Sequence, residues 1–241
     1  MTNKTLIIGA SGGIADALIR QCASRGDDVI AVSRSDLSAR NYPSNVECLV
    51  LAKQDDNHIE DVVLKLMDEG IALNNVVITT GFLHDPEKDI HPEKRLEDVN
   101  EKALESYFAV NTIIPSLWLK HLVKIMDKAE ATVVCLSARV GSISDNGLGG
   151  WYGYRASKAA LNMFVKSASV EYKRRLKNIM LVCYHPGTVD TSLSKPFQKN
   201  VAAKKLFTPD FTAEQLLSHL VTLDREQSCH FIDWDGQVVT W

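Results

Sequence analysis

Tyr154 and Lys158 stand four residues apart in Tyr154-Arg-Ala-Ser-Lys158. Residues spaced i and i+4 share one face of a helix. A free phenol ionises near pH ~10 and is a poor base at neutral pH. A neighbouring ammonium favours the phenolate and lowers that value. Such a pair can give a proton to a carbonyl under reduction or take one from an alcohol. Tyr152 has Ala156 at the same spacing and so lacks a cation, which selects Tyr154. Tyr-x-x-x-Lys also occurs by chance on solvated helices, so its weight depends on what surrounds it.

A second constellation opens the chain. The apolar run Thr5-Leu-Ile-Ile8 leads into Gly9-Ala-Ser11-Gly12-Gly13-Ile14-Ala15. Gly9 permits a sharp turn, and Gly12 and Gly13 let the backbone approach a pyrophosphate with no Cβ in the way. Ile14 begins a helix whose free N–H groups face an anion. Gly9, Ser11, Gly12, Gly13 and Ile14 are therefore the candidate cofactor turn. Ala15 replaces the third glycine of the usual Gly-x-Gly-x-x-Gly fingerprint. Together the two constellations point to hydride transfer between a nicotinamide and a carbonyl or alcohol.

The end of the second strand bears on the choice of dinucleotide. An acid there bonds the ribose 2′-hydroxyl, and an Arg suits a 2′-phosphate. The chain reads Ile30-Ala-Val-Ser33-Arg34-Ser35, with Arg34 at that place and Asp36 as the competing acid. Guanidinium forks match phosphate, so NADP is expected over NAD.

These residues need elements to hold them. The 241 residues suffice for one sizeable α/β domain. A net charge of -3 gives no basic field for nucleic acid or an acidic membrane. The apolar run after Met1 is too short for a signal peptide or membrane span. Five scattered cysteines suggest reduced core thiols and a cytoplasmic protein, and no Cys or His pair has metal-ligand spacing.

Expected strands are Thr5–Gly9, Asp28–Ser33, Val46–Leu51, Asn75–Thr80, Ala131–Ser137, Ile179–His185 and His230–Asp233. The early ones read as nearly continuous apolar runs, covered on both faces. Expected helices are Ile14–Arg25, His58–Glu69, Glu101–Asp127, Tyr154–Leu176 and Thr212–Thr222. This alternation predicts an α/β fold, a doubly wound parallel sheet of about seven strands with helices on both faces. Residues 82–98 read as a surface loop. Residues 186–211 follow Pro186-Gly187 and read as a substrate lid beside the crevice.

With these motifs in view, the chain resembles the short-chain dehydrogenase/reductase family along almost its whole length. The likeness is greatest to the C-factor and sniffer-type carbonyl reductases. It rests on Gly9-Ala-Ser-Gly-Gly13-Ile14, Asn111 in Phe-Ala-Val-Asn-Thr, Ser137-Ala-Arg-Val-Gly141-Ser-Ile, Gly150-Trp-Tyr-Gly-Tyr154-Arg-Ala-Ser-Lys158 and His185-Pro-Gly-Thr-Val-Asp-Thr191. The resemblance implies one Rossmann-type NAD(P)-binding domain over residues 1–241. It also implies a tetrad of Asn, Ser, Tyr and Lys, with Asn111 at a helix break holding a water near Lys158. Pro186 and Gly187 would lie beside the nicotinamide, with the Val189 backbone and the Thr191 hydroxyl on its carboxamide.

The chain departs from the family pattern in three places. The usual catalytic serine of Ser-Ser-x-x-Gly aligns with Ala138; Ser137 is chosen for the role and Ser142 is the alternative. It would bond the substrate oxygen as charge grows there. The family's Asn-Asn-Ala-Gly is Ile78-Thr-Thr-Gly81, where Thr79 can still bond locally and Gly81 still admits the cofactor. The acid that usually contacts adenine is absent from Leu51-Ala-Lys-Gln-Asp55, leaving backbone groups or Asp55.

Trp151, Tyr152, Phe197 and Phe207 near the site or in the lid suit an apolar or aromatic carbonyl compound. The resemblance implies a homodimer or homotetramer packed through the helices at 101–127 and 154–176. A catalytically weak nucleotide-binding regulatory protein is the rival reading, and a lyase or epimerase on the same fold is a third.

Overall fold

The computed structural model describes residues 2–241. In chain order its main elements are β1 (Lys4–Ile8), α1 (Gly13–Ser24), β2 (Asp28–Ser33), β3 (Val46–Val50), α2 (Asp56–Asp68) and β4 (Asn75–Ile78). Next come α3 (Glu101–Phe108), α4 (Ile114–Leu122), β5 (Ala131–Leu136), α5 (Tyr152–Arg175) and β6 (Ile179–His185). The chain finishes with β7 (Thr188–Val189), β8 (Leu206–Phe207), α6 (Pro209–Thr222) and β9 (Cys229–Asp233). Seven strands form a parallel sheet in the order β3-β2-β1-β4-β5-β6-β9. The order reverses between β1 and β4, and a ligand crevice is expected at the carboxyl ends there.

Side chains of a strand alternate between its faces. Leu6 and Ile8 of β1 pack with Ile59 and Val63 of α2, Trp118 of α4 and Leu161 of α5. Ile7 points the other way, among Leu18 and Ile19 of α1 and Leu216 of α6. Both faces of the sheet are thus covered by helices, as the apolar runs require. The exception is β3, an edge strand whose Glu47, Cys48 and Val50 are exposed, so the expectation of two covered faces does not extend to it.

The long helix expected over 101–127 is interrupted. Ala109–Ile113 forms a π turn between α3 and α4, where Ile114 N–H bonds to the Ala109 carbonyl. Pro115 has no N–H to give the carbonyl of Asn111, four residues earlier, and the ladder slips at that point. The helix also stops at Leu122, short of Asp127. Two-residue strands β7 and β8 pair in parallel and tie the ends of the 186–211 segment together. All five cysteines are free, and no helix of the described residues is long and apolar enough to cross a membrane.

Candidate active site

A cleft of about 490 Å³ opens at the carboxyl ends of β1 and β4. Gly9, Ser11, Gly12, Gly13, Ile14, Arg34, Gly81 and Thr191 all line it. Helix α1 begins at Gly13 with no side-chain cap, so its first-turn amides lack the partners that a capping residue supplies. Gly9 has φ +86°, and a Cβ there would lie 2.7 Å from Thr79 Oγ1. Thr79 Oγ1 donates to the Ile8 carbonyl at 2.7 Å, bracing the ends of β1 and β4 together. The threonine thus makes the local bond expected of it.

Arg34, which lines the cleft, is exposed and has no hydrogen bond or ion pair with another described residue. Asp36 is otherwise engaged: its carboxylate accepts from Ser38 N at 2.9 Å and Ser38 Oγ at 2.6 Å. These bonds hold its pKa below the usual carboxylate value. Asp55 likewise caps α2 through His58 N, at 3.1 Å, and does not line the cleft. Gln54 does line it, with its amide oxygen accepting from Trp118 Nε1 at 3.2 Å. Sequence reading missed Gln54 because its side-chain direction depends on how α4 packs.

Tyr154 and Lys158 both lie in the first turns of α5, 8% and 2% exposed. Lys158 Nζ donates to the Leu136 carbonyl at 2.8 Å, and Leu136 lines the cleft. The same Nζ stands 5.9 Å from the centre of the Tyr154 ring. Burial brings the ammonium down to about 8. Burial pushes the Tyr154 phenol well above its ordinary value. The lowering expected from the lysine is therefore not seen, because desolvation dominates and the ammonium is bonded to a carbonyl.

Asn111 is fully buried in the π turn. Its Oδ1 accepts from Phe82 N at 2.8 Å, and its Nδ2 donates to Phe82 O at 2.9 Å and Ser157 Oγ at 3.0 Å. Ser157 Oγ in turn donates to the Tyr154 carbonyl at 2.9 Å. Ser157 thus couples the helix break to the helix of the Tyr–Lys pair, a link the sequence did not announce.

Ser137 Oγ donates to Asn162 Oδ1 at 2.6 Å and is buried. Ser142 Oγ is also buried and accepts from Asp145 N at 3.1 Å. Neither residue lines the cleft. Ala138 instead shares an apolar cluster with Tyr154, Tyr107, Leu83 and Ile90. Against this cluster pack Phe82, Trp151, Leu193 and Phe197. The Phe197 ring lies 5.2 Å from Trp151 and 5.6 Å from His84, centre to centre. Leu193 belongs both to the cleft lining and to this cover. Val189 is buried in β7, and Pro186 and Gly187 are half-buried; like Tyr154, Lys158 and Asn111 they lie outside the open volume. Phe207 packs on Phe211 and Trp234, away from the Tyr154 cluster.

The short chain dehydrogenase family model matches residues 3–202. The chain is 28% identical over 242 residues to 1-hydroxy-2-glutathionyl-2-methyl-3-butene dehydrogenase of Rhodococcus sp. strain AD45, covering 99% of this chain and 100% of that protein. It is 33% identical over 147 residues to C-signal of Myxococcus xanthus, covering 61% of this chain and 83% of that one. The carbonyl reductase Sniffer of D. melanogaster has the same fold, with TM-score 0.84 and 22% identity over 100% of both chains. The NADPH-bound carbonyl reductase from chicken fatty liver gives TM-score 0.82 and 24% identity over 100% of this chain and 99% of that one. With its turn, its Tyr–Lys helix and its sheet order all in place, the chain belongs to the short-chain dehydrogenase/reductase family.

Proposed function

We propose that this chain is an NADP-preferring oxidoreductase acting on a small carbonyl or alcohol compound, with Tyr154 as general acid and base. The observation that carries the reading is the buried Lys158, bonded to the carbonyl of a residue that lines the cleft. The donor set fits a dinucleotide. The uncapped amides of α1 and the open backbone at Gly12 would hold the pyrophosphate. Arg34 would take a 2′-phosphate, and Gly81, Pro186, Gly187, Val189 and Thr191 would border the nicotinamide half. When bound, the nicotinamide gives or accepts the hydride.

The protein's own part is the proton. Burial keeps the Tyr154 phenol protonated, which suits it to donate to a substrate oxygen during reduction. Lys158, eased toward neutrality by burial, is placed to exchange a proton along α5. Asn111 fixes the helix break behind the pair, and Ser137 supplies the hydroxyl for the substrate oxygen once it leaves Asn162. Residues 186–211 serve as the lid: Leu193 and Phe197 cover Tyr154, so substrate enters by displacing them. The relative from Rhodococcus, named as a dehydrogenase of a hydroxy compound, supports an alcohol–carbonyl reaction. Exposed Met163, Phe164 and Val170 on α5 support a homo-oligomer packed through that helix. The free thiols suit a cytoplasmic setting.

A second reading, a nucleotide-binding regulatory protein with weak turnover, is favoured by Ala138 at the aligned serine position and by the engagement of Ser137 with Asn162. Absorbance of the reduced nicotinamide across a panel of aromatic and aliphatic carbonyls separates the two. Net oxidation of NADPH that Tyr154→Phe abolishes supports the enzyme. Tight NADPH binding without turnover on any member supports the regulator.

A further inference from the structure

Glu93 is a buried carboxylate that the proton chemistry does not use. It lies in the 82–98 loop, which the sequence marks only as surface, yet it is 2% exposed. Its two carboxylate oxygens accept from Gly153 N at 3.3 and 3.2 Å. Its own carbonyl accepts from Trp151 N. One loop residue therefore takes the amides of two of the three residues that precede Tyr154. Helix α5 has no side-chain cap at Trp151, which sits at φ 52°. A carboxylate at a helix N-terminus satisfies an orphan amide and complements the dipole. Among the described residues no cation pairs with Glu93; its side-chain oxygens are met by the start of α5.

The fit is close. A Cβ on Gly153 would lie 2.8 Å from Glu93 Oε1 and would collide with the Tyr107 ring. Tyr107 is itself anchored, its hydroxyl donating to the Leu83 carbonyl at 3.0 Å, and its ring meets the Tyr154 ring at 6.3 Å between centres. The first turn of α5 is thus clamped between Glu93 and Tyr107, immediately before the phenol.

We propose that Glu93 is a positioning residue for Tyr154, capping α5 so that the phenol keeps its place beside Lys158 and the cleft; its effect on turnover rests on the proton-transfer reading of Tyr154. Misplacing a reacting group by about 1 Å can cost roughly 100-fold in rate. Glu93→Ala is expected to lower kcat by roughly 10- to 100-fold while NADPH affinity stays within about twofold of the parent. Glu93→Gln keeps an oxygen acceptor for Gly153 N and is expected to restore most of kcat. Should Glu93→Ala fail to fold, Glu93→Asp, one methylene shorter, carries the same expected loss. Amide hydrogen exchange reads the cap without any turnover: Gly153 and Tyr154 exchange faster in the Ala or Asp variant, while the C-terminal turns of α5 do not change. Parent-like exchange at Gly153, or parent-like kcat in a folded Ala or Asp variant, overturns the proposal. If exchange responds but Tyr154→Phe leaves turnover intact, the proton-transfer reading has failed and the cap has not.

Discussion

Lys158 Nζ donates to the carbonyl of Leu136 at 2.8 Å, which ties α5 to the end of β5. The ammonium is spent on the sheet, not on the Tyr154 phenol. Its burial has a consequence for stability as well as for chemistry.

In the folded chain Lys158 falls to about 8 from an ordinary 10.5. Between those values the unfolded chain binds more protons, so stability rises with pH there. Below the folded value both states are protonated, and the cost of burying the charge is constant. A shift of this size corresponds to about 3 kcal/mol. Lys158→Met removes the group. Urea unfolding from pH 7 to 10.5 should show the parent gaining on the variant by about that amount. A parent-to-variant difference that is flat over this range contradicts the buried charge.

Ser137 is predicted to carry part of the rate. Removing one donor from a developing oxyanion costs about 100- to 1000-fold in kcat. Ser137→Ala should show a loss of that order with NADPH affinity retained, and a small drop in Tm from the lost bond to Asn162. If Ser137→Ala keeps kcat and Ser142→Ala loses it, Ser142 holds the role. If both keep it, the catalytic set has no serine.

The sheet was legible because buried parallel strands leave nearly continuous apolar runs; β2 and β6 match their expected ranges from end to end. The glycine-rich turn after β1 was legible because only glycine suits Gly9, and a nearby Thr79 still braces it. The pair Tyr154–Lys158 was legible as spacing. What spacing does not carry is desolvation, so the direction of the phenol's shift came out opposite. Nor does it carry which acceptor a hydroxyl finds: Asn162 lies 25 residues from Ser137. Gln54 and Glu93 were silent for the same reason, since each acquires its place only when a distant helix packs beside it.

Phe197 is predicted to hold the lid. Its edge meets Trp151, which meets Tyr154 at 6.1 Å between ring centres. An aromatic pair of this kind is worth about 1 kcal/mol beyond its buried area, or roughly fivefold in an equilibrium. Phe197→Ala should raise KM for an aromatic carbonyl several-fold and leave the affinity for NADPH unchanged. Trypsin should also cut faster at the exposed Lys199, Lys204 and Lys205. Unchanged KM together with unchanged cleavage removes the lid from the proposal.

Arg34 is predicted to set the dinucleotide preference. It lines the cleft, is exposed and has no partner among the described residues, whereas the competing acid Asp36 is held by Ser38. A hydrogen bond to a charged group is worth about 1.5–3 kcal/mol, or roughly ten- to a hundredfold in affinity. Arg34→Ala should weaken NADPH by that factor and leave NADH nearly unchanged, as measured by fluorescence titration. Because the guanidinium is in solvent, salt should weaken NADPH binding to the parent and do so less in the variant. Asp36→Ala should leave NADH affinity as it was, since that carboxylate serves the turn and not the ribose. Equal affinity of the parent for both dinucleotides, or an Arg34→Ala chain that binds NADPH as tightly as the parent, would show that the phosphate is recognised elsewhere.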